Sequence, residues 1–438
     1  MVENKYFLMA VIAFILIPFV SISRNKINTV ELSYGDAFFN TPYTADSLTV
    51  LGEYVENDLF YSMKIHSKAE KPLLQVKFLD ISNSIIINEN YDEGEYVIDN
   101  YAFKDCGMLE HIVFPKNITI LGSHLFENCF SLHTVVLPDS LKEIRPMAFV
   151  NCPLLKKIKI SSSNKHYATY ENSLYDKNKR LLYLVPPTVD GDYDLSPNVE
   201  YIECAAFYKC DKLNSFKSND ILKCIGNFAF YGCSNLSSVE ISSSVQKIGN
   251  FVFFKCGSLK EIILPKNLRD FGIFAFAGCE GLETVYVESE QVNNNCLFAG
   301  CPNLKSFVVN ETNRYFSSKD GVLFDKSGKV LVAYPNAKGS DYEVPESVKK
   351  IGRCSFYDCK DLSSVTFPSG VLVFENAALS NCKQLKFVKI LAVNPPSVQE
   401  SSFAMVDKHK CILSVPNSSL NLYKNHPVWG AFDNIVGF

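Results

Sequence analysis

The sequence lacks the short patterns that usually carry chemistry in proteins. Its seven histidines are scattered, without the spacing of zinc ligands or an H-E-x-x-H motif. It has no glycine-rich phosphate loop and no calcium-binding loop, and its regularly spaced cysteines never form a C-x-x-C pair. We therefore expect no catalytic residues, no cofactor and no metal site, although a Cys-His or Ser-His pair that meets only in the folded chain would leave no such pattern.

The sequence also lacks an excess of charge of either sign. Lysine and arginine number 43 against 47 acidic residues, which gives a net charge of -4. Binding to nucleic acid calls for a basic surface, so we expect no nucleic-acid partner. Hydrophobic residues make up 47% of the 438 residues, an ordinary globular composition that predicts one well-packed domain.

Long hydrophobic runs are absent except at the start of the chain. Residues 6–20 form an apolar run that follows Lys5 and precedes the small residues Ser21 and Ser23. This layout is typical of a secretory signal peptide, and the run is short for a membrane span, which needs ~20 residues. We predict that residues 1–23 are a signal peptide, or alternatively an uncleaved signal anchor, and that the protein is secreted or displayed at the cell surface. Membrane contact would come only through an uncleaved N-terminal segment.

Cysteine, by contrast, is abundant and periodic. Ten of the 15 cysteines recur mostly at intervals of 23 residues: Cys106, Cys129, Cys152, Cys210, Cys233, Cys256, Cys279, Cys301, Cys359 and Cys382. Each is followed after three residues by leucine and after six by a β-branched or aromatic residue, and nine are preceded by phenylalanine at a distance of three. A repeat of this length with phased apolar residues predicts a mostly β solenoid, in which each coil buries its apolar side chains only against its neighbours.

The same pattern outlines a single coil. The apolar residues six and eight positions after each cysteine have strand spacing, so we expect one short strand per repeat. Alanine precedes the phenylalanine in five repeats and Leu379 in a sixth, which predicts a short helical or irregular turn. Five glycines, each seven residues before its cysteine, predict a tight bend with positive φ: Gly122, Gly226, Gly249, Gly272 and Gly352.

Two insertions interrupt the period. The steps from Cys152 to Cys210 and from Cys301 to Cys359 are 58 residues long. The inserted segments, near 161–200 and 310–349, match each other at an offset of 149, and each has the pattern of strand, polar turn and strand. We predict two β-hairpins. Such insertions often mark a binding face, but spacers in a duplicated array would look the same.

The periodic cysteines are poor candidates for disulfides. Residues of equal phase stack about one strand spacing apart, ~4.8 Å, with their Cβ atoms pointing the same way, which disfavours a bridge. We therefore predict a ladder of buried free thiols. Five cysteines lie outside this phase and remain candidates for disulfides, with no pairing implied: Cys204, Cys224, Cys296, Cys354 and Cys411.

The two ends depart from the period and are predicted to be caps. Residues 24–94 lack the cysteine phase but are rich in strand formers, so we expect an N-terminal cap before a solenoid over residues 95–395. Residues 396–438 contain the sole tryptophan, Trp429. We expect it to cover the last coil, because an open solenoid end exposes apolar side chains and strand edges. Ligand binding is the alternative role for this side chain.

The outer surface of the strands is the predicted binding region. Positions five and seven after each cysteine alternate with core positions and should form a ribbon roughly 50 Å long, on which Ile263, Tyr286 and Val308 are adjacent. The candidate partner-binding residues are Lys159, Lys217, Glu240, Glu261, Ile263, Tyr286, Val308 and Lys389. The alternative is that the apolar members reflect only the β-propensity of a strand surface.

Two runs of the sequence resemble a known repeat. Residues 137–155, L-P-D-S-L-K-E-I-R-P-M-A-F-V-N-C-P-L-L, and residues 225–236, I-G-N-F-A-F-Y-G-C-S-N-L, are similar to the leucine-rich repeat of the Treponema pallidum type in BspA-like surface proteins. The resemblance covers about residues 95–395 and implies a curved leucine-rich repeat array. Leu379, Ser218 and the 22-residue step to Cys301 depart from the pattern.

The resemblance also implies a function. Proteins of this family are mostly secreted or on the cell surface and are linked to adhesion, and no catalytic residues come with the family. Together with the repeat array, the predicted export signal and the missing catalytic patterns, it favours a non-enzymatic recognition protein that binds extracellular or host proteins or glycans through its sheet face. Two rival hypotheses are a self-assembling coat protein, which binds other copies of this chain, and a cryptic hydrolase.

Overall fold

The computed structural model describes residues 27–32, 43–55, 74–87, 94–292 and 295–438. The predicted signal segment, residues 1–23, lies outside the described residues, as does part of the predicted cap over 24–94. Within the described ranges the chain is a solenoid of short parallel strands, which confirms the predicted fold class. No helix in these ranges combines the length and the apolar character that crossing a membrane requires.

The largest element is a ladder of parallel strands that we call the front sheet. It consists of β1 (Ile27–Leu32), β2 (Tyr43–Val55), β3 (Leu74–Asp80), β6 (His111–Val113), β8 (Thr134–Val136), β10 (Lys157–Lys159), β14 (Gly191–Asp194), β16 (Leu213–Lys217), β18 (Ser238–Glu240), β20 (Glu261–Leu264), β22 (Thr284–Val287), β23 (Ser306–Val309), β27 (Asp341–Glu343), β29 (Ser364–Phe367), β31 (Phe387–Ile390), β33 (Ile412–Val415) and β34 (Asn434–Gly437). Hydrogen bonding divides it into the segments β1 to β10, β14 to β18, β20 to β23 and β27 to β34. The described part of the predicted N-terminal cap therefore continues the ladder, and β4 (Ser84–Ile87) pairs with the second half of β2.

A second ladder, the back sheet, lies eight and nine residues before the periodic cysteines. Its strands are β5 (Val97–Ile98), β7 (Ile120–Leu121), β9 (Glu143–Ile144), β15 (Tyr201–Ile202), β17 (Cys224–Ile225), β19 (Lys247–Ile248), β21 (Asp270–Phe271), β28 (Lys350–Ile351), β30 (Val373–Phe374) and β32 (Ser397–Val398). The prediction of one strand per repeat was therefore incomplete. Two-residue strands are too short to show a period of two in the sequence.

Each insertion forms the predicted hairpin and more. The strands are β11 (Tyr167–Tyr170), β12 (Ser173–Asp176) and β13 (Leu181–Leu184) in the first insertion, and β24 (Phe316–Lys319), β25 (Val322–Asp325) and β26 (Val330–Ala333) in the second. In each, the three strands pair antiparallel, and the third joins the back sheet in parallel. Side chains alternate between the two sides of the first hairpin, so Leu174 and Leu184 pack into one core cluster and Tyr175 and Leu182 into the next.

The core is built from the phased residues. Phe207, Phe230 and Phe253 are fully buried, with parallel rings whose centroids lie 4.5 and 5.1 Å apart. The ten periodic cysteines are buried free thiols, as predicted. The Cys233 thiol donates a hydrogen bond to the carbonyl oxygen of Phe207 in the preceding coil, at 3.0 Å. Burial of these small thiols is therefore compatible with a satisfied donor.

The turns before the cysteines are irregular rather than helical. The backbone N–H of Phe207 donates to the carbonyl oxygen of Ala229 in the next coil at 2.7 Å, and Phe230 donates likewise to Val252 at 2.9 Å. These bonds replace the bond to the fourth preceding residue that defines an α-helix. In every repeat with a periodic cysteine, the residues five and one positions before it adopt positive φ, as in Tyr101 (65°) and Asp105 (63°).

The predicted positive φ of the glycines seven residues before the cysteines was wrong. None of these five glycines is among the residues with positive φ. Glycine is required there because the coils approach closely: a Cβ on Gly226 would lie 2.7 Å from the Cys204 nitrogen, and one on Gly352 would lie 2.7 Å from the Leu331 oxygen. The bend itself occurs at the neighbouring left-handed residues.

Candidate partner-binding face

The candidate residues are set by the alternation of the front sheet. In β20, Glu261 and Ile263 are exposed whereas Ile262 and Leu264 are buried. The same alternation exposes Lys159, Lys217 and Glu240 on their strands. Because successive side chains of a strand point to opposite faces, the outward positions form columns within each segment of the front sheet.

Three apolar side chains form the centre of this face. The strand register pairs Ile263 with Tyr286, and Tyr286 with Val308. Their exposed fractions are 46, 37 and 44% respectively. We call these three residues the apolar triad. A contiguous group of large exposed apolar side chains is the surface feature most often associated with partner binding.

Charged residues border the triad on one side. The Lys217 ammonium lies 2.9 Å from the Glu240 carboxylate, and this hydrogen bond raises the pKa of Lys217. Both side chains are more than half exposed, so the pair contributes little to stability. Glu261 is exposed on the same strand as Ile263.

The structure does not bring two of the candidates to the triad. Lys159 lies on β10, the last strand of the first front-sheet segment. Lys389 is half-buried on β31, and its ammonium sits 4.4 Å from the ring centroid of Phe438. Both are therefore separate from the surface around Tyr286.

Four acidic residues on this face were missed in the sequence. Each insertion adds a strand to the front sheet, and these strands expose Asp192 and Asp194 in β14 and Asp341 and Glu343 in β27. Asp194 is in register with Lys217. The available signal was the repetition of G-D-Y-D at 191–194 as S-D-Y-E at 340–343, which matches the offset of 149 between the insertions.

The buried thiols are poorly suited to nucleophilic chemistry. Burial raises the pKa of Cys106 and of Cys152 to about 12 and that of the partly exposed Cys204 to about 11. A thiolate is the reactive form, so these cysteines are held in the unreactive state at neutral pH. Across the described ranges, no three His, Cys, Asp or Glu side chains are grouped as metal ligands.

One pair of off-phase cysteines forms a disulfide. Cys296 and Cys354 are bridged, with their Cα atoms 5.1 Å apart. They precede Cys301 and Cys359 by five residues, and thus belong to the two coils that flank the second insertion. Cys204, Cys224 and Cys411 are free.

The C-terminal segment covers the last coils. It contains three 3-10 turns, Glu400–Phe403, Asn417–Ser419 and Trp429–Ala431, and helix α1, Leu420–Lys424. Trp429 is fully buried against Phe374 and Phe403, and its indole N–H donates to the carbonyl oxygen of Pro396 at 2.9 Å. This environment suits the predicted covering role and leaves no exposed surface on Trp429 for a ligand.

The solved structures that match this chain include bacterial leucine-rich repeat proteins. A leucine-rich repeat protein from Eubacterium ventriosum is 22% identical, with a TM-score of 0.49, over 81% of this chain and 82% of that one. A leucine-rich cell surface protein from Faecalibacterium prausnitzii is 23% identical, with a TM-score of 0.45, over 66% and 88%. The pneumococcal vaccine antigen PcpA is 15% identical, with a TM-score of 0.42, over 90% and 80%. No curated protein shows a significant sequence match to this chain.

The repeat itself is matched by a family model. The model describes a BspA-type leucine-rich repeat region, and six copies match residues 82–184, 192–319 and 332–425. The unmatched gaps fall within the two insertions. Solenoids of this family are typically non-enzymatic. Because the matches cover well over half of the chain, this protein belongs to the BspA-type leucine-rich repeat family.

Proposed function

We propose that this protein is a secreted or cell-surface recognition protein that binds extracellular or host proteins or glycans through the outer face of its front sheet, in an adhesive role and without catalysis. The observation that carries the proposal is the apolar triad, Ile263, Tyr286 and Val308, which lies exposed on three neighbouring strands of a regular sheet surface. A flat face with a central apolar group and a charged border has the layout of a protein-binding surface.

Two features support the proposed location. Residues 1–23 have the layout of a signal peptide. The disulfide between Cys296 and Cys354 is of the kind that persists in oxidising compartments, which include the cell exterior. The mature N-terminus, determined by mass spectrometry of protein from its native cells, tests the location: cleavage near residue 23 is expected, and an intact N-terminus on a protein inside the cell would contradict it.

The binding face can be tested with charge substitutions. The protein would be screened by biolayer interferometry against immobilised extracellular-matrix proteins and against host cells, followed by the double variant Ile263→Glu and Val308→Glu. A hot-spot residue at the centre of an interface contributes ~2 kcal/mol or more, so the loss of one such residue in the double variant should weaken binding by at least ~30-fold. Leu372→Glu is the matched control, because Leu372 is 62% exposed but lies outside the front sheet.

The rival hypotheses predict different results. Absence of saturable binding, or equal losses in the double variant and the Leu372 control, would count against a recognition role for this face. Concentration-dependent assembly in sedimentation experiments would favour the coat protein. Labelling of one hyper-reactive Cys or Ser by an activity probe would favour the hydrolase, whereas we expect no such residue.

A further inference from the structure

Four Asn-x-Ser/Thr triplets occur in the chain, and the function proposed above uses none of them. Their asparagines are Asn117, Asn235, Asn310 and Asn417. In secreted proteins this triplet is the acceptor for N-linked glycosylation, which attaches a sugar to the side-chain nitrogen of an asparagine in a surface loop. So short a triplet also arises by chance, and the surroundings of each asparagine therefore decide whether it suits the modification.

The side chain of Asn310 is held with its nitrogen outward. Asn310 is exposed directly after β23, at the start of the second insertion. Its Oδ1 accepts two hydrogen bonds from Thr312, one from the backbone N–H at 2.9 Å and one from the hydroxyl at 2.8 Å. This is an Asx turn, closed by neighbouring residues alone. Because both bonds end at Oδ1, Nδ2 lies on the far side of the amide, and no described residue accepts a hydrogen bond from it.

The other three triplets lack this arrangement. In the first, Thr119 is buried and its hydroxyl donates to the carbonyl oxygen of Tyr96 in the preceding coil at 3.3 Å. In the second, the Ser237 hydroxyl donates likewise to the carbonyl oxygen of Asn214 at 3.1 Å. In the fourth, Ser419 is fully buried and its hydroxyl has no partner among the described residues. In none of them does the hydroxyl bond to the asparagine of its own triplet.

The turn itself does not require asparagine. The first insertion builds the same turn 149 residues earlier with Ser161 in place of Asn310 and Ser163 in place of Thr312. There the Ser163 backbone N–H donates to the Ser161 hydroxyl oxygen at 3.2 Å, and the two hydroxyl oxygens lie 2.8 Å apart. Serine therefore satisfies the backbone at this position, and the Asn-x-Thr triplet is an addition of the second insertion.

The surface beside Asn310 leaves room for a sugar. Asn310 borders an open depression of about 590 Å³, whose lining includes Lys266, Arg314 and Tyr315. The Tyr315 side chain is 48% exposed. Sites that hold small molecules have volumes of about 300 to 1,000 Å³, so the first sugars of a glycan fit here without displacing a packed side chain.

We propose that Asn310 carries an N-linked glycan; the proposal rests on the export of the chain proposed above. In the transfer, Nδ2 of Asn310 forms a bond to C1 of the terminal sugar of a lipid-diphosphate oligosaccharide. The bond between C1 and the diphosphate oxygen breaks, the lipid diphosphate leaves, and the amide gives up one proton to the transferase. Val308 lies two residues before Asn310, so the glycan borders the apolar triad and leaves the triad itself open.

Glycopeptide mass spectrometry of protein from its native cells tests the proposal. Peptides that contain each of the four triplets are compared before and after treatment with peptide N-glycosidase, which converts a glycosylated asparagine to aspartate. We expect a glycan on Asn310, at a higher occupancy than on any of the other three asparagines. An unmodified Asn310, or equal occupancy at all four positions, overturns the proposal.

The mature N-terminus, read from the same sample, separates this proposal from that of export. Cleavage near residue 23 together with an unmodified Asn310 overturns the glycan alone. An intact N-terminus on a protein that stays inside the cell, with Asn310 unmodified, overturns the proposed location as well.

Variants of Thr312 assign the modification to the turn. In the full chain secreted from a cultured eukaryotic cell line, Thr312→Val removes the hydroxyl and should abolish the glycan on Asn310, whereas Thr312→Ser keeps the hydroxyl and should retain it. Asn235→Gln is the control at another triplet and should leave the glycan on Asn310 unchanged. Thermal unfolding of each variant checks that the fold is kept. A glycan on Asn310 that survives Thr312→Val, or one that is lost in Asn235→Gln, contradicts the proposal.

Discussion

Replacing Gly272 by alanine tests the conclusion that the glycine column exists to let coils approach. A Cβ at this position would clash with the carbonyl carbon of Gly249 and the amide nitrogen of Asn250. Both are backbone atoms of the preceding coil, so no side chain can rotate away to relieve the contact. The φ of Gly272 is not positive, so alanine carries no conformational penalty of its own there.

The expected cost follows from overpacking. Adding atoms to a packed site typically destabilises a protein by ~1 to 3 kcal/mol, and a clash with backbone belongs at the upper end, about 3 kcal/mol. Gly257→Ala is the matched control, because its Cβ would meet nothing within 4 Å and its φ is not positive. We expect that change to stabilise the protein by ~0.4 to 1 kcal/mol through the unfolded state.

Urea denaturation followed by far-UV circular dichroism measures both variants against the natural chain. A third variant, Gly191→Ala, separates the two possible roles of glycine, since Gly191 has φ +83° and no atom within 4 Å of an added Cβ. It should cost ~1 to 2 kcal/mol through backbone strain alone. Equal effects of Gly272→Ala and Gly257→Ala on stability would refute the argument from coil spacing.

Three further predictions concern stability. Cys296→Ser removes the bridge to Cys354, which closes a loop of 58 residues, and should lower the free energy of unfolding by about 4 kcal/mol in the chain-entropy account. The control Cys224→Ser, at a free thiol, should cost under ~0.5 kcal/mol. Chemical denaturation with thiol mapping checks both, and a free Cys354 in the natural protein would contradict the bridge. Burial raises the pKa of Asp358 in the folded state, so the contribution of this carboxyl to stability declines as pH rises above its pKa in the unfolded chain. Asp358→Asn should therefore stabilise the protein at pH 7 and lose this advantage at pH 3. A pH-independent effect in thermal melts would be inconsistent with burial of the carboxyl as the cause. Trp429→Ala should lower the free energy of unfolding by ~3 to 5 kcal/mol, and Trp429→Phe should lower it by clearly less. Urea denaturation measures both variants, and similar small decreases in the two would argue against the covering role.

The periodic features of this chain were predictable because each repeat meets the same neighbours. The buried state of Cys233 and the outward position of Tyr286 follow from phase alone, and the structure has both where phase puts them. The position of Gly272 also followed from phase, but the reason why glycine is needed there did not. A local sequence pattern cannot distinguish a glycine needed for positive φ from one needed for close approach, since the approaching atoms belong to the preceding coil.

The aperiodic features depended on contacts that phase does not encode. The pairing of Cys296 with Cys354 arises because the insertion leaves the flanking coils in direct contact on the turn side. There the Arg353 guanidinium also donates to the side-chain amide oxygen of Asn295 at 3.1 Å. The same geometry joins Lys209 to Asn151 at 2.9 Å beside the first insertion. Neither contact can be inferred from a repeat unit.

By itself, the sequence determined the solenoid, its period and the inward or outward direction of each phased side chain, because these follow from a 23-residue pattern repeated against copies of itself. Only the tertiary structure decided which glycines are needed for coil contact, which cysteines pair, and that both insertions add a strand to the front sheet. These features depend on contacts between different coils, which a single repeat unit does not encode.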